Sequence, residues 1–214
     1  MKLYDYELSG NCYKVRLFCA LLGLEIQRLP VNFHPGKEHK SEKFLAEVNP
    51  MGQLPVIDDD GFILRDAQAI LVYIAARYDK TGVWWPTSPE SMGVIQTWLS
   101  FADELTRTAS AARLHDALGY AEINVQAARK GAHKLLRYLD DHLAEQHFNE
   151  TAWLYGGSPS IADIACFPYV ALAPEGGISL DEYPDVRQWI WDLRSLPRFV
   201  GMGGIMAIDI GQSN

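Results

Sequence analysis

The sequence predicts a fold in two parts, an α/β unit of order βαβ-α-ββα followed by an all-α helical bundle. Strand-like runs are confined to the first 65 residues, where turn and helix signals separate them. Helical periodicity dominates from residue 88 onward. Between the two, Asp79 to Thr87 has no helical period and carries Gly82, Trp84, Trp85 and Pro86, the composition of a linker. The expected boundaries are therefore 1–78, 79–87 and 88–214.

Each element has a local reason. Lys2-Leu3-Tyr4-Asp5-Tyr6 alternates as a half-buried strand does, and Ser9-Gly10-Asn11 supplies turn and cap chemistry for a helix. In that helix Val15, Phe18, Cys19 and Leu22 share one face, and Gly23 is placed to end it as a left-handed cap. Ile26 to Val31 is a second strand, and one helix between two strands implies a right-handed crossover with parallel pairing. His34-Pro35-Gly36-Lys37 is loop, and Ser41 to Glu47 is a short helix. Leu54 to Asp58 and Phe62 to Arg65 make a hairpin turned by Asp60-Gly61, and Asp66 to Tyr78 closes the unit as a helix. In the second unit Ser88-Pro89-Glu90 caps a long helix that runs to about Leu118, and Glu122 to about His147 is the next. Gly156-Gly157-Ser158-Pro159 breaks the pattern, and Ser160 with Asp163 forms an aspartate variant of the capping box ahead of the apolar helix Ile164 to Leu172. Pro184 opens a last helix, with Val186, Trp189, Ile190 and Leu193 on one face, before Pro197 stops it. The Gly-rich tail from Gly201 is apolar through Ile210 and is expected to lie on the body of the protein.

Composition narrows the function classes. At 214 residues, 48% hydrophobic and 21% charged, the chain can bury a core without a metal or disulfide staple. A net charge of −8 and the lack of a basic stripe argue against nucleic acid as the main partner. No apolar run reaches membrane-spanning length, and acidic residues stand where a signal peptide would need an apolar core, so a cytoplasmic location without membrane attachment is expected. Cys12, Cys19 and Cys166 are odd in number and lack disulfide or metal-ligand spacing, so they read as free thiols, with no metal site.

The stretch Asn49-Pro50-Met51-Gly52-Gln53-Leu54-Pro55-Val56 points to a ligand. Pro55 has no amide hydrogen for a sheet ladder and belongs at a strand's first position or edge. A trans proline opening a surface strand is one reading. In the other, a cis Leu54–Pro55 bond leaves both polar groups of Leu54's backbone aimed at one place, as a peptide-like ligand needs. With Asp58-Asp59-Asp60-Gly61, Phe62-Ile63-Leu64 and Asp66-Ala67-Gln68-Ala69-Ile70 behind it, the stretch resembles the glutathione site of the cytosolic glutathione transferases. In that family the proline is cis and the residue before it pairs with the cysteinyl part of glutathione. Ser160 and Asp163 match a hallmark of the same family's helical domain, so the resemblance spans essentially the whole chain. It implies a thioredoxin-like first unit, glutathione as co-substrate, and a homodimer in which Met51 is an apolar key seated in the partner.

The resemblance also assigns roles. Glutathione's thiol has a pKa of about 8.5, and lowering it by about two units takes roughly 2.7 kcal/mol of preference for the anion. At the head of the first helix, Ser9 matches the hydroxyl donor of bacterial serine-type, theta-like members. Asn11 matches the loop of asparagine-type, nu-like members that reduce disulfides and peroxides, and Cys12 offers a mixed disulfide with glutathione. All three stay open, since Ser9 and Asn11 are also ordinary caps and Cys12 a small apolar residue. Asp66 takes the position that holds the γ-glutamyl amino group, while Ala67 stands where a serine is usual. His39 and Gln53 align with positions that bind the glycyl carboxylate, Gln53 in place of a frequent lysine, and a solvated loop face is the other reading of His39. For the acceptor, helical spacing alone suggests Arg107, Thr108, Ala111 and His115. The implied function is attack of glutathione thiolate on a small hydrophobic electrophile, or glutathione-dependent reduction of a peroxide or disulfide. The alternative is a transferase-fold binding module without turnover.

Overall fold

Four strands form one sheet in the computed structural model, which describes residues 1–206. β1 (Lys2–Asp5) and β2 (Gln27–Pro30) pair in parallel, β3 (Val56–Asp59) runs antiparallel to β1, and β4 (Phe62–Arg65) antiparallel to β3, in the order β2-β1-β3-β4. Asp60 and Gly61 turn the hairpin at φ of 53° and 93°, the doubly positive pair that a two-residue connection favours. β3 opens at Val56 rather than Leu54. Leu54 and Pro55 stand before the ladder, where the missing amide hydrogen of proline breaks no pairing.

α1 (Gly10–Leu22) joins β1 to β2. The Ser9 hydroxyl oxygen accepts from the Cys12 amide at 3.2 Å at its head, and Gly23 ends it at φ 69°. α2 (Glu42–Glu47) starts on the Ser41 cap and α3 (Ala67–Tyr78) on the Asp66 cap. The helical part holds α4 (Pro89–Leu105), a π-helical turn at Thr106–Ser110, α5 (Ala111–Leu118), α6 (Val125–Phe148), α7 (Ile161–Ala171) and α8 (Pro184–Arg194). The long helix expected to reach Leu118 thus contains one turn of i→i+5 bonding, which widens the helix and shifts the phase of its faces. α7 begins at Ile161, directly after its Ser160 cap, three residues earlier than the apolar run suggested.

α1 packs against α3 on one side and α7 on the other, so the first helix belongs to both cores. Trp84 bridges them as well. Its ring meets Phe18 of α1 edge-on at 5.2 Å, and its carbonyl accepts from the Ile161 amide at 3.0 Å. Asp163 ties together the far side. Fully buried, its carboxylate accepts from the Leu154 and Ser160 amides at 3.0 and 2.9 Å, the Ser160 hydroxyl at 3.2 Å and Trp189 Nε1 of α8 at 2.9 Å. Tyr13 donates to the Val200 carbonyl at 2.7 Å, and Met202 and Ile205 are buried beyond it. The tail therefore lies on the body as far as Met206, and the rest of the expected apolar stretch, through Ile210, lies outside the described residues. All three cysteines are free and buried.

Candidate functional site

A cavity of about 480 Å³ opens between the sheet unit and the helices. Its first wall is the segment that the sequence singled out. The Leu54–Pro55 bond is cis, and both residues line the cavity. Asn49 Nδ2 donates to the Gln53 carbonyl at 3.0 Å, which pins the loop, while the amide and carbonyl of Leu54 have no partner among the described residues. Gly52, at φ 57°, lets this loop pass the 3-10 turn Glu38–Lys40. A Cβ there would stand 2.6 Å from the His39 carbonyl oxygen.

The second wall is the head of α3. Asp66 holds φ 78° and ψ 125°, a conformation that ordinary residues avoid and that the surrounding structure must impose. Its Oδ1 accepts from the Ala69 amide at 3.0 Å, and the residue faces the cavity with Ala67 and Gln68 behind it. Across from it is Asp103 of α4, hydrogen-bonded to Gln68 Nε2. Burial, then the nearby Asp66 charge, raises the pKa of the Asp103 carboxyl. Two carboxylates facing one space beside a helix N-terminus can hold an ammonium and a carboxylate side by side, the head of an amino acid.

The third wall is the loop before α1. Ser9, Gly10 and Asn11 line the cavity, and the Asn11 amide donates to the Tyr169 hydroxyl of α7 at 3.2 Å. Asn11 Oδ1 is buried without a partner among the described residues. A Cβ at Gly10 would come within 2.6 Å of the Tyr169 ring, so only glycine permits this approach. The Ser9 oxygen is engaged by the Cys12 amide, and its rotatable O–H remains available to donate. Cys12 turns the other way, into the core. It is fully buried, does not line the cavity, and burial pushes its thiol up to about 12, which disfavours the thiolate that disulfide exchange needs. Lys14, one turn further along α1, is also fully buried, with Nζ 5.4 Å from the Tyr169 ring centroid.

His39 is not on a solvated face. It stacks on Phe33 at 3.9 Å and is 6% exposed, and burial together with the Lys40 and Lys37 charges holds its pKa below the usual histidine value. Lys40 and Gln53 line the cavity beside it. The acceptor candidates fall elsewhere. Arg107 pairs with Glu104 at the surface at 2.5 Å, Thr108 packs its methyl towards Gly131 of α6, and His115 Nδ1 sits 2.7 Å from Asp116 Oδ1. None of these, nor Ala111, lines the cavity. Asp103, Thr106, Ser110, Arg113 and Leu114 do so instead. Helical spacing does not fix the phase of a stripe, and the residues that line the cavity run about one position earlier. Lys40, Asp103, Arg113 and Tyr169 were missed altogether. The signal for the last three is a polar side chain, buried at Arg113 and Tyr169 and half-buried at Asp103, on a helix whose facing becomes known only from packing.

The whole arrangement suits a peptide-like ligand with an amino-acid head at Asp66 and Asp103, an extended middle at Leu54 and an anionic end near Lys40. Among the described residues no group of three or more His, Cys, Asp or Glu is placed to hold a metal ion, and no helix is long and apolar enough to cross a membrane.

Comparison with known proteins places residues 3–82 in a match to the glutathione S-transferase N-terminal domain and residues 112–190 in a match to the glutathione S-transferase C-terminal domain. A maleylacetoacetate isomerase of Pseudomonas aeruginosa is 30% identical over 194 residues, covering 88% of each chain. A solved glutathione S-transferase of Pseudomonas fluorescens is 32% identical with a TM-score of 0.82, covering 94% of this chain and 98% of that one. A glutathione transferase homologue of Lodderomyces elongisporus, solved with two glutathiones per subunit, shares the fold at 23% identity and a TM-score of 0.82, over 92% of this chain and 94% of that one.

Proposed function

The chain belongs to the glutathione S-transferase family, and from that membership we propose that it binds glutathione in this cavity and activates its thiol for attack on a small electrophile. The observation that carries the reading is Leu54, whose amide and carbonyl are both unclaimed among the described residues, on the wall between Ser9 and Asp66. In it, the cysteinyl part of glutathione pairs with Leu54 in the manner of a strand, and its sulfur then points to the head of α1. Asp66 and Asp103 take the γ-glutamyl ammonium, and the first amides of α3 take the adjoining carboxylate. Ala67 contributes its amide but no hydroxyl, which weakens that grip by about one hydrogen bond, roughly 1.5 to 3 kcal/mol. Lys40, Gln53 and a neutral His39 surround the glycyl carboxylate. Ser9 donates to the thiolate as in the serine-type group, and Asn11 is its rival. Reduction of peroxides or disulfides uses the same thiolate. The three buried free thiols accord with a reducing cytoplasm.

The missing hydroxyl at Ala67 favours a second reading, a glutathione-binding module without turnover. Retention on immobilised glutathione, followed by assays with aryl halides, enones, peroxides, disulfides and maleylacetoacetate, separates the two. Binding with turnover of at least one class is expected. Failure to bind sinks both readings, and binding without turnover leaves the second.

A homodimer completes the proposal. Met51 is 54% exposed beside the Gly52 turn, a large apolar side chain that this chain alone leaves in solvent. Sedimentation at micromolar concentration is expected to show a dimer that Met51→Ala weakens about tenfold or more. A wild-type monomer rules out the dimer, and an unchanged variant rules out Met51 as its key.

A further inference from the structure

Tyrosines aside, five charged or titratable side chains line the cavity, and the glutathione reading gives work to four of them, His39, Lys40, Asp66 and Asp103. The fifth is Arg113. It is 5% exposed, yet it reaches the cavity from α5. Nε donates to Glu175 Oε2 at 2.5 Å, and Nη1 donates to the Leu8 carbonyl at 2.7 Å, which leaves Nη2 without a partner among the described residues. Glu175 does not line the cavity. It approaches the guanidinium from the side where the tail passes, with Gly204 against its other oxygen. The counter-charge therefore lies behind Arg113, and the cation is what the cavity meets.

Position gives this charge a use. Leu8 immediately precedes Ser9, so the guanidinium is fixed next to the place where the sulfur reacts. The lining it shares includes Leu8, Leu114, Leu118 and the ring of Tyr6, together with the hydroxyls of Thr106 and Ser110. A fixed buried cation beside apolar walls selects a ligand with an apolar body and an anionic group.

We propose that Arg113 makes this protein selective for anionic acceptors, electrophiles that carry a carboxylate on an apolar frame. The inference rests on the transferase reading above. An α,β-unsaturated ketone bearing a carboxylate shows the chemistry. The thiolate sulfur forms a bond to the β-carbon, the carbon–carbon π pair moves through the enolate to the α-carbon, and the proton that left the thiol ends there. Nothing is oxidised or reduced. The carboxylate does not react and serves only to dock on Arg113.

The test compares an aryl enone carboxylic acid with its primary amide, at saturating glutathione, as the ratio of their kcat/KM values. Wild type is expected to prefer the acid. Arg113→Gln is expected to lower the acid-to-amide ratio by roughly tenfold or more, the scale of one hydrogen bond to a charged group. Glu175→Gln, which removes the counter-charge and keeps the arginine, is expected to raise it. The ratio separates selectivity from the structural bond to Leu8, whose loss slows both compounds alike. A wild type that prefers the amide, or a ratio indifferent to Arg113, overturns the inference alone. Should Arg113→Gln fail to fold, the wild-type ratio and the Glu175→Gln shift decide by themselves. Turnover of neither compound overturns this inference, while the transferase reading stands or falls separately on the panel of acceptor classes above.

Discussion

Replacing Asp163 with alanine is expected to lower the free energy of unfolding by about 3 to 5 kcal/mol, a large part of what a domain has. The carboxylate is fully buried and receives four hydrogen bonds, from the Leu154 and Ser160 amides, the Ser160 hydroxyl and Trp189 Nε1. Truncation strands those donors away from water and opens a cavity between α7 and α8, and each unsatisfied buried group costs about 1 to 3 kcal/mol. Urea unfolding followed by tryptophan fluorescence, with the slope checked against wild type, measures the loss. A loss of only about 1 kcal/mol would reduce Asp163 to an ordinary helix cap. Asp163→Asn should fall between, because its amide nitrogen must face at least one of the same donors.

The second large effect is chemical. Ser9→Ala is expected to cut kcat/KM at neutral pH by about 10- to 100-fold, since a hydrogen bond to a charged group is worth about 1.5 to 3 kcal/mol. The donor favours the thiolate, so its loss raises the pKa of bound glutathione and leaves less thiolate at pH 7. The deficit should shrink as pH rises past both pKa values, where the thiol is ionised in either protein. Ultraviolet thiolate absorbance against pH checks the shift directly. Asn11→Ala is expected to be milder, and the reverse order would assign the site to the asparagine type. Cys12→Ser should be nearly silent in turnover, because the thiol faces the core; abolished thiol exchange would reinstate it as a nucleophile.

What could be read beforehand was whatever the chain settles over a few residues. Asp60-Gly61 names its turn through the sign of φ, Gly23 its helix end, and Ser160 with Asp163 its cap, since each depends on near neighbours alone. The Asp66 and Leu54–Pro55 features followed from such local devices together with a family pattern. Phase and facing were not legible. The stripe expected at Arg107, Thr108, Ala111 and His115 is about one residue out of phase with the cavity lining, because spacing carries no absolute angle and the π turn leaves no mark in the sequence. Arg113, Asp103 and Tyr169 meet the loop of Ser9 or the head of α3 only when helices far along the chain return to the first unit. Position at a helix head leaves Cys12 open as a thiol or as a small apolar residue, and only the packing of α1 shows it buried.

The meeting of Gly10 and Tyr169 has a consequence for how such a chain can be inherited. The loop carrying Ser9 is cut to fit a ring from the opposite half of the gene, to within 2.6 Å of where any side chain would begin. Recombination that exchanges halves between relatives would preserve both folds and still ruin the loop if it brought a larger residue at position 10 under this tyrosine. The glycine and the tyrosine thus form a compatibility pair, and functional hybrids should be found among crosses in which they travel together.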